Sequence, residues 1–328
     1  MRIELDRINK SFGDNHVLKD LSFSAESGKA FGLLGRNGSG KTTTIRIIME
    51  IFPMDSGTVT INGDKAKKYI NKIGYLPEER GLYPKRPILE QMVYFGELRG
   101  MKAADAKRNA EILLKKLDAE EYLKRKLDTL SKGNQQKIQL AIALLTEPEI
   151  LILDEPFSGL DPVNANVLKS LVSEMVAAGK LVIFSSHQMS NVEEFCDDIC
   201  IINKGVNVLE GNLAKIKRAY PRNRILITPE DGDLEGFSKR IQASPELKAL
   251  VTDVTAGKRG CVVTIKDEKD RAKLFAAVSS MGVGVDAFQV MEPTLEQIFI
   301  EKAGDAPDEE KPAEEPARRA GLFGRRRG

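Results

Sequence analysis

The chain has 328 residues, 41% hydrophobic and 30% charged, with 50 Lys+Arg against 48 Asp+Glu for a formal net charge of +2. This composition excludes gross disorder, and at roughly 100–200 residues per domain the length predicts about two domains. The near-neutral balance creates no global field for a polyanion, so nucleic acid is not expected as a partner.

Three cysteines, Cys196, Cys200 and Cys261, form no C-x-x-C unit. That spacing points away from a disulfide framework or a zinc site and towards a reducing compartment. Cys196 and Cys200 lie before and at the start of an apolar run, 200–202, and read as small packed hydrophobes. The longest apolar stretches, such as 140–145, fall far short of the ~20 residues that cross a bilayer. The first ten residues carry charges every few positions and no apolar secretory core, so the expected location is the cytosol or a cytosolic membrane face.

Residues 1–211 alternate short apolar runs with helical patterns. The runs 30–34, 150–153 and 181–184 predict strands buried on both faces of a mainly parallel sheet. The first leads directly into Gly35, Arg36, Asn37, Gly38, Ser39, Gly40, Lys41 and Thr42, a full match to G-x-x-x-x-G-K-[ST]. A helical pattern opening at Thr43 and running to 50 supplies the strand–loop–helix context that this motif requires. The three glycines let successive N–H groups converge on phosphate oxygens, and the helix N-terminus adds its positive dipole end. Lys41 would bring a point charge to the β/γ-phosphates, and Thr42 a hydroxyl ligand for Mg²⁺. The plain alternative is a glycine-rich turn without a ligand.

Between about 82 and 145 the pattern becomes helical. Residues 111–126, with Ile112, Leu113, Lys116 and Leu117 at helical spacing, read as part of a helical insertion. The run 150–153 then ends in Asp154 and Glu155, at the strand edge where α/β sheets bind ligands. Asp154 would hold Mg²⁺ directly or through water, and Glu155 would polarise the attacking water as general base. Taken alone, the pair also fits two acids that open an exposed loop.

Past Gly211, strands at 225–228, 250–254, 261–266 and 285–290 alternate with helices near 234–242 and 269–281. The order βαββαβ predicts a ferredoxin-like α+β unit over 212–303. A last helix at 295–302 is capped by Thr294 with Gln297. From 304 to 328 the composition collapses to Ala, Pro, Glu and Arg, which predicts a disordered tail dispensable for catalysis.

Over residues 1–211 these motifs resemble the ATP-binding subunits of ATP-binding-cassette (ABC) transporters. The segment Leu130, Ser131, Lys132, Gly133, Asn134, Gln135, Gln136 is similar to that family's L-S-G-G-Q signature and departs from it at Lys132 and Asn134. The resemblance implies that Ser131 and Gly133 contact the γ-phosphate held by a partner cassette. A Ser N-cap on the following helix is the structural alternative, and both readings can hold together. Asp161 falls in a segment resembling the loop that crosses between cassettes, and His187 where the family's γ-phosphate-sensing histidine follows a strand. His16 matches nothing and is expected at a surface turn. Phe12 occupies the place of the adenine-stacking aromatic, with a core role equally open.

Glu78 stands where the family usually has a glutamine beside Mg²⁺ and water. The resemblance implies a catalytic and metal-ligating carboxylate there; the alternative is a solvated loop residue next to Glu79 and Arg80. The segment 75–83 and the ending 295–300 are similar to the NatA-like, exporter-type subgroup. Together these resemblances imply an α/β phosphate-loop NTPase cassette followed by a small α+β domain. They also imply Mg²⁺-dependent ATP hydrolysis, a second cassette of the same or a paralogous chain, and a separate integral membrane permease. The subunit would sit peripherally on the cytoplasmic face of the membrane.

A soluble ABC-type ATPase acting on ribosomes or DNA is the other reading. Against it stand the single phosphate-loop motif and the absence of a sustained heptad repeat over 42–131. A nucleotide-gated module without catalysis is disfavoured by the presence of Glu155 and His187.

Overall fold

A computed structural model describes residues 1–79 and 81–304 of the chain. Arg80 and the expected tail past Gly304 lie outside the described residues. Strands β1 (Arg2–Phe12) and β2 (Asn15–Glu26) pair antiparallel. Ile3, Leu5 and Ile8 of β1 and Leu18, Leu21 and Phe23 of β2 point inward. Arg7 and Asp20 adopt left-handed φ values of 46° and 50°, and register shifts lie beside them, so the inward spacing slips from two residues to three. His16, expected at a turn, lies within β2 instead, with Nε2 3.1 Å from Asn9 Oδ1.

Next come β3 (Ala30–Leu34), α1 (Lys41–Ile48), β4 (Ser56–Ile61) and β5 (Asp64–Lys65). β4 and β5 complete a sheet of order β2-β1-β4-β5. After β6 (Ile73–Leu76) the helical insertion holds α2 (Ile88–Leu98), α3 (Ala103–Lys116) and α4 (Lys132–Leu144). The stretch 111–126 is not one helix: α3 ends at Lys116, and a short 3₁₀ turn follows at Glu120–Tyr122. Its inward face is Ala106, Ala110 and Leu114, while Ile112 is 59% exposed. Small alanines let the helices approach closely, which a search for large apolar residues overlooks.

β7 (Ile150–Asp154), α5 (Pro162–Ala177), β8 (Leu181–Ser186), α6 (Met189–Phe195), β9 (Asp198–Asn203), β10 (Val206–Asn212) and α7 (Leu213–Arg218) follow. The second sheet has the order β10-β9-β3-β8-β7-β6, all parallel except β10. β3, β7 and β8 are buried at every residue, as the continuous apolar runs require. On one face Ile45 and Ile48 of α1 fill the space towards the first sheet; on the other, α4, α5 and α6 cover Leu153 and Phe184. Cys196 and Cys200 are buried in these cores, and burial pushes both thiols well up.

The C-terminal part consists of β11 (Arg224–Pro229), α8 (Leu234–Ala243), α9 (Pro245–Leu250), β12 (Val251–Ala256), β13 (Cys261–Ile265), α10 (Arg271–Ser280) and β14 (Val285–Met291). Its antiparallel sheet has the order β12-β13-β11-β14, the ferredoxin-like arrangement. Sequence reading overlooked α9, although Ser244 as N-cap and Pro245 at the first helical position announce it.

The last helix, α11 (Leu295–Ala303), packs elsewhere. Leu295 and Phe299 belong to the core beneath the parallel sheet, and the Glu193 carboxylate on α6 accepts from the Leu295 N–H at 3.2 Å. Thr294 and Gln297 form the expected capping box. Thr294→Ala is expected to cost about 1 kcal/mol by leaving a helix N–H unpaired, a loss that chemical denaturation would read.

Candidate functional site

The loop after β3 turns into α1 through Gly40, whose φ of +112° is left-handed and whose Cβ would lie 2.5 Å from Leu18 Cδ2. Only glycine fits on both counts. No side chain caps α1 and no acid sits in its first turn, so its leading N–H groups are left for an external anion. Lys41 is 5% exposed, and its ammonium donates to Gly35 O at 2.8 Å and Arg36 O at 3.3 Å. Burial pulls its pKa down, opposed by the Glu155 carboxylate 3.5 Å away.

Asp154 ends β7, 1% exposed. Its Oδ1 accepts from the Ser185 hydroxyl, and Thr42 Oγ1 lies 3.4 Å from the same oxygen. Oδ2 is buried with no hydrogen-bond partner. Burial pushes the Asp154 carboxyl up, and the hydroxyls of Ser185 and Thr42 partly offset this. Glu155 turns out of the strand at a left-handed φ of 48°, which brings Oε1 to 3.0 Å from His187 Nδ1. That oxygen has the Lys41 ammonium and the His187 ring as neighbours but no well-aligned hydrogen bond.

One cavity of about 520 Å³ gathers most of these groups. Asn37, Gly38, Gly40, Lys41, Thr42 and Thr43 line it together with Glu78, Glu155 and His187. Phe12, 44% exposed, also lines it, with Asn15 and Val17. The ring rests edge-on against Phe52 at 5.4 Å, so Phe12 is not a core residue. Asn15 and Val17 escaped sequence reading, because no motif marks them. Glu78 faces the cavity, and burial, then Asp154 and Glu155, push its carboxyl up. Gln139 of α4 donates to the carbonyl of neighbouring Glu79 at 3.2 Å, tying this loop to the helical insertion.

The ABC transporter family matches residues 18–158, and the C-terminal domain of DrrA1-3-like ATP-binding proteins matches 211–303. The uncharacterized ABC transporter ATP-binding protein YhaQ of Bacillus subtilis is 41% identical over 303 residues, 92% of this chain and 98% of that protein. The chain belongs to the ABC transporter ATP-binding subunits. The Nod factor export ATP-binding protein I of Paraburkholderia xenovorans is 34% identical over 64% of this chain and 70% of its own length. A bacterial ABC transporter cassette solved as a dimer superimposes with a TM-score of 0.60 at 25% identity, covering 64% of this chain and 98% of that one.

Within this cassette the signature segment and the crossing loop stand outside the cavity. Ser131 caps α4, its Oγ accepting from the Asn134 N–H at 3.3 Å, as the N-cap reading expects. Gly133 is buried, and a Cβ there would sit 2.8 Å from Asn164 Nδ2. Asp161 caps α5 through the Asn164 N–H at 2.9 Å and also accepts from the Asn164 side chain at 2.7 Å. Those contacts hold its carboxyl below the usual range, and the Gly133–Asn164 approach sets the start of α5 beside the start of α4.

Arg36 of the loop between β3 and α1 lies over the Phe299 ring at 5.7 Å, so α11 contacts that loop. Among the described residues no helix is long and apolar enough to cross a membrane.

Proposed function

We propose that this chain binds and hydrolyses Mg²⁺·ATP as the motor of an exporter, working through a separate integral membrane permease at the cytoplasmic face of the membrane. The reading rests above all on one juxtaposition: Lys41, Thr42, Glu155 and His187 line one cavity where α1 presents its N–H groups, and Asp154 stands behind Thr42, its Oδ1 3.4 Å from the Thr42 hydroxyl. Lys41 and the loop N–H groups hold the phosphates, Phe12 takes the adenine face, and Glu155 receives the proton of the attacking water. His187 orients Glu155 and meets the γ-phosphate.

Thr42 and Asp154 suit Mg²⁺, since both offer hard oxygen and a buried carboxylate oxygen without a partner needs a cation. Bound there, Mg²⁺ would neutralise charge on the β- and γ-oxygens. Residues 1–211 form the cassette and 212–303 the accessory domain, and the working unit contains two cassettes. Ser131, Gly133 and Asp161, outside the cavity of their own chain, then serve the site of the partner cassette.

The export direction is supported by the relative named for Nod factor export. Affinity purification from detergent-solubilised membranes tests the reading. A membrane protein that co-purifies and stimulates ATP hydrolysis is expected; recovery with ribosomes or DNA alone would replace it by the soluble reading.

Glu78→Gln is expected to preserve ATP binding and to shift the Mg²⁺ dependence of turnover, because the carboxylate attracts the cation and repels phosphate. Superimposable Mg²⁺ series would make Glu78 a plain loop residue. A second readout follows from the raised pKa. Folding pays for an ionised Glu78, so its favourable contribution is present below 4.5 and is lost as pH rises through the raised folded value. Glu78→Gln is therefore expected to melt higher than wild type near neutral pH without nucleotide, the difference closing as pH falls below 4.5.

A further inference from the structure

We propose that Ser185 is a positioning residue that sets both the rotation of the Asp154 carboxylate and the turn that aims Glu155. The inference rests on the reading of Asp154 as Mg²⁺ ligand and Glu155 as base. Ser185 is fully buried and lies directly across from Asp154 in the parallel β7–β8 register. Its hydroxyl has one proton to give and lone pairs to accept with. The Glu155 backbone N–H, 3.1 Å away, can only donate, so Oγ accepts there and its single proton goes to Asp154 Oδ1.

Two consequences follow from that one hydroxyl. With Oδ1 engaged, the carboxylate is held in the rotation that keeps Oδ2 free of hydrogen bonds within the protein. Without Ser185, the contact remaining at Oδ1 is the 3.4 Å approach of Thr42, and Thr42 is itself assigned to the metal. At the same time, the bond to the Glu155 N–H steadies a residue in the left-handed region, which non-glycine residues seldom occupy. That turn carries the Glu155 carboxylate to His187 and Lys41. Ser185 is fully buried, hydrogen-bonded to Asp154 and to the Glu155 N–H, and acts through those two acids.

The test uses the full chain with Ser185→Ala and Ser185→Thr, and Mn²⁺ as the paramagnetic probe. ATP affinity is measured in EDTA, the Mn²⁺ concentration that half-saturates the ATP complex by electron paramagnetic resonance, and kcat and KM at saturating Mg²⁺. Ser185→Ala is expected to leave ATP affinity in EDTA unchanged. It should raise the Mn²⁺ half-saturation about 10-fold and lower kcat about 10- to 100-fold with little change in KM, the range seen when the partner of a metal ligand is removed. Ser185→Thr, which keeps the hydroxyl, should recover most of the Mn²⁺ affinity.

Wild-type Mn²⁺ half-saturation and kcat in Ser185→Ala would overturn the positioning role. So would a loss in EDTA as large as the loss in Mn²⁺, with Ser185→Thr no better than Ser185→Ala, since that pattern marks a purely structural serine. Should Ser185→Ala fail to fold, Ser185→Cys, a weaker donor of similar size, reports the same measurements. A wild-type protein whose ATP affinity does not respond to Mg²⁺ or Mn²⁺ would overturn the metal reading itself, and the proposal with it.

Discussion

Lys41→Ala is expected to lower ATP affinity about 100-fold while leaving the fold intact. A hydrogen bond from a charged donor contributes roughly 1.5–3 kcal/mol, and the upper half of that range corresponds to two decades in affinity. The ammonium sits almost wholly out of water, held by two carbonyls of its own loop and by Glu155. Its desolvation is therefore already met before a phosphate arrives, and the charge acts at full strength on the ligand. The lowered pKa of Lys41 shows that burial outweighs the help from Glu155. Truncation thus also removes a cost, and the thermal midpoint without nucleotide should change little. Calorimetric titration with ATP decides; unchanged affinity would dissolve the assignment of the loop as a phosphate site.

The parts that sequence reading found are those where chemistry or complete burial fixes the residue. The phosphate loop is legible because Gly40 has no substitute at its φ and beside Leu18. β7 and β8 are legible because burial on both faces writes an unbroken apolar run. β1 and β2 went unread because the bulges near Arg7 and Asp20 break the period of two on which strand detection depends. α11 was found as a helix, yet periodicity says only that a face is apolar, not which core it joins. Leu295 and Phe299 join the parallel-sheet core, and the Arg36–Phe299 contact is a tertiary fact. Ser185 was invisible for the same reason: one serine in a strand means nothing until register sets it opposite Asp154.

Glu155→Gln should bind ATP as well as wild type and hydrolyse it roughly 100- to 10,000-fold more slowly, the span attributed to a general base. The amide keeps the size of the carboxylate, and the backbone N–H held by Ser185 Oγ is untouched, so the left-handed turn survives. An amide oxygen can still approach His187 Nδ1, but it cannot take a proton from water. Loss of the charge also frees Lys41 from a carboxylate 3.5 Å away, which favours phosphate rather than opposing it. Binding without turnover should then accumulate the ATP-bound state. If Ser131 and Gly133 of each chain serve the other chain's γ-phosphate, that state is a dimer, with the α4 N-terminus adding its dipole to the anion. Gel filtration in Mg²⁺·ATP should show Glu155→Gln as a dimer, and the double variant with Lys41→Ala as a monomer, because the second change removes the ligand that joins the halves. A Glu155→Gln protein that stays monomeric with saturating nucleotide would overturn the clamp assigned to Ser131 and Gly133. The assignment of Glu155 would stand apart from that result, resting on the hydrolysis rate alone.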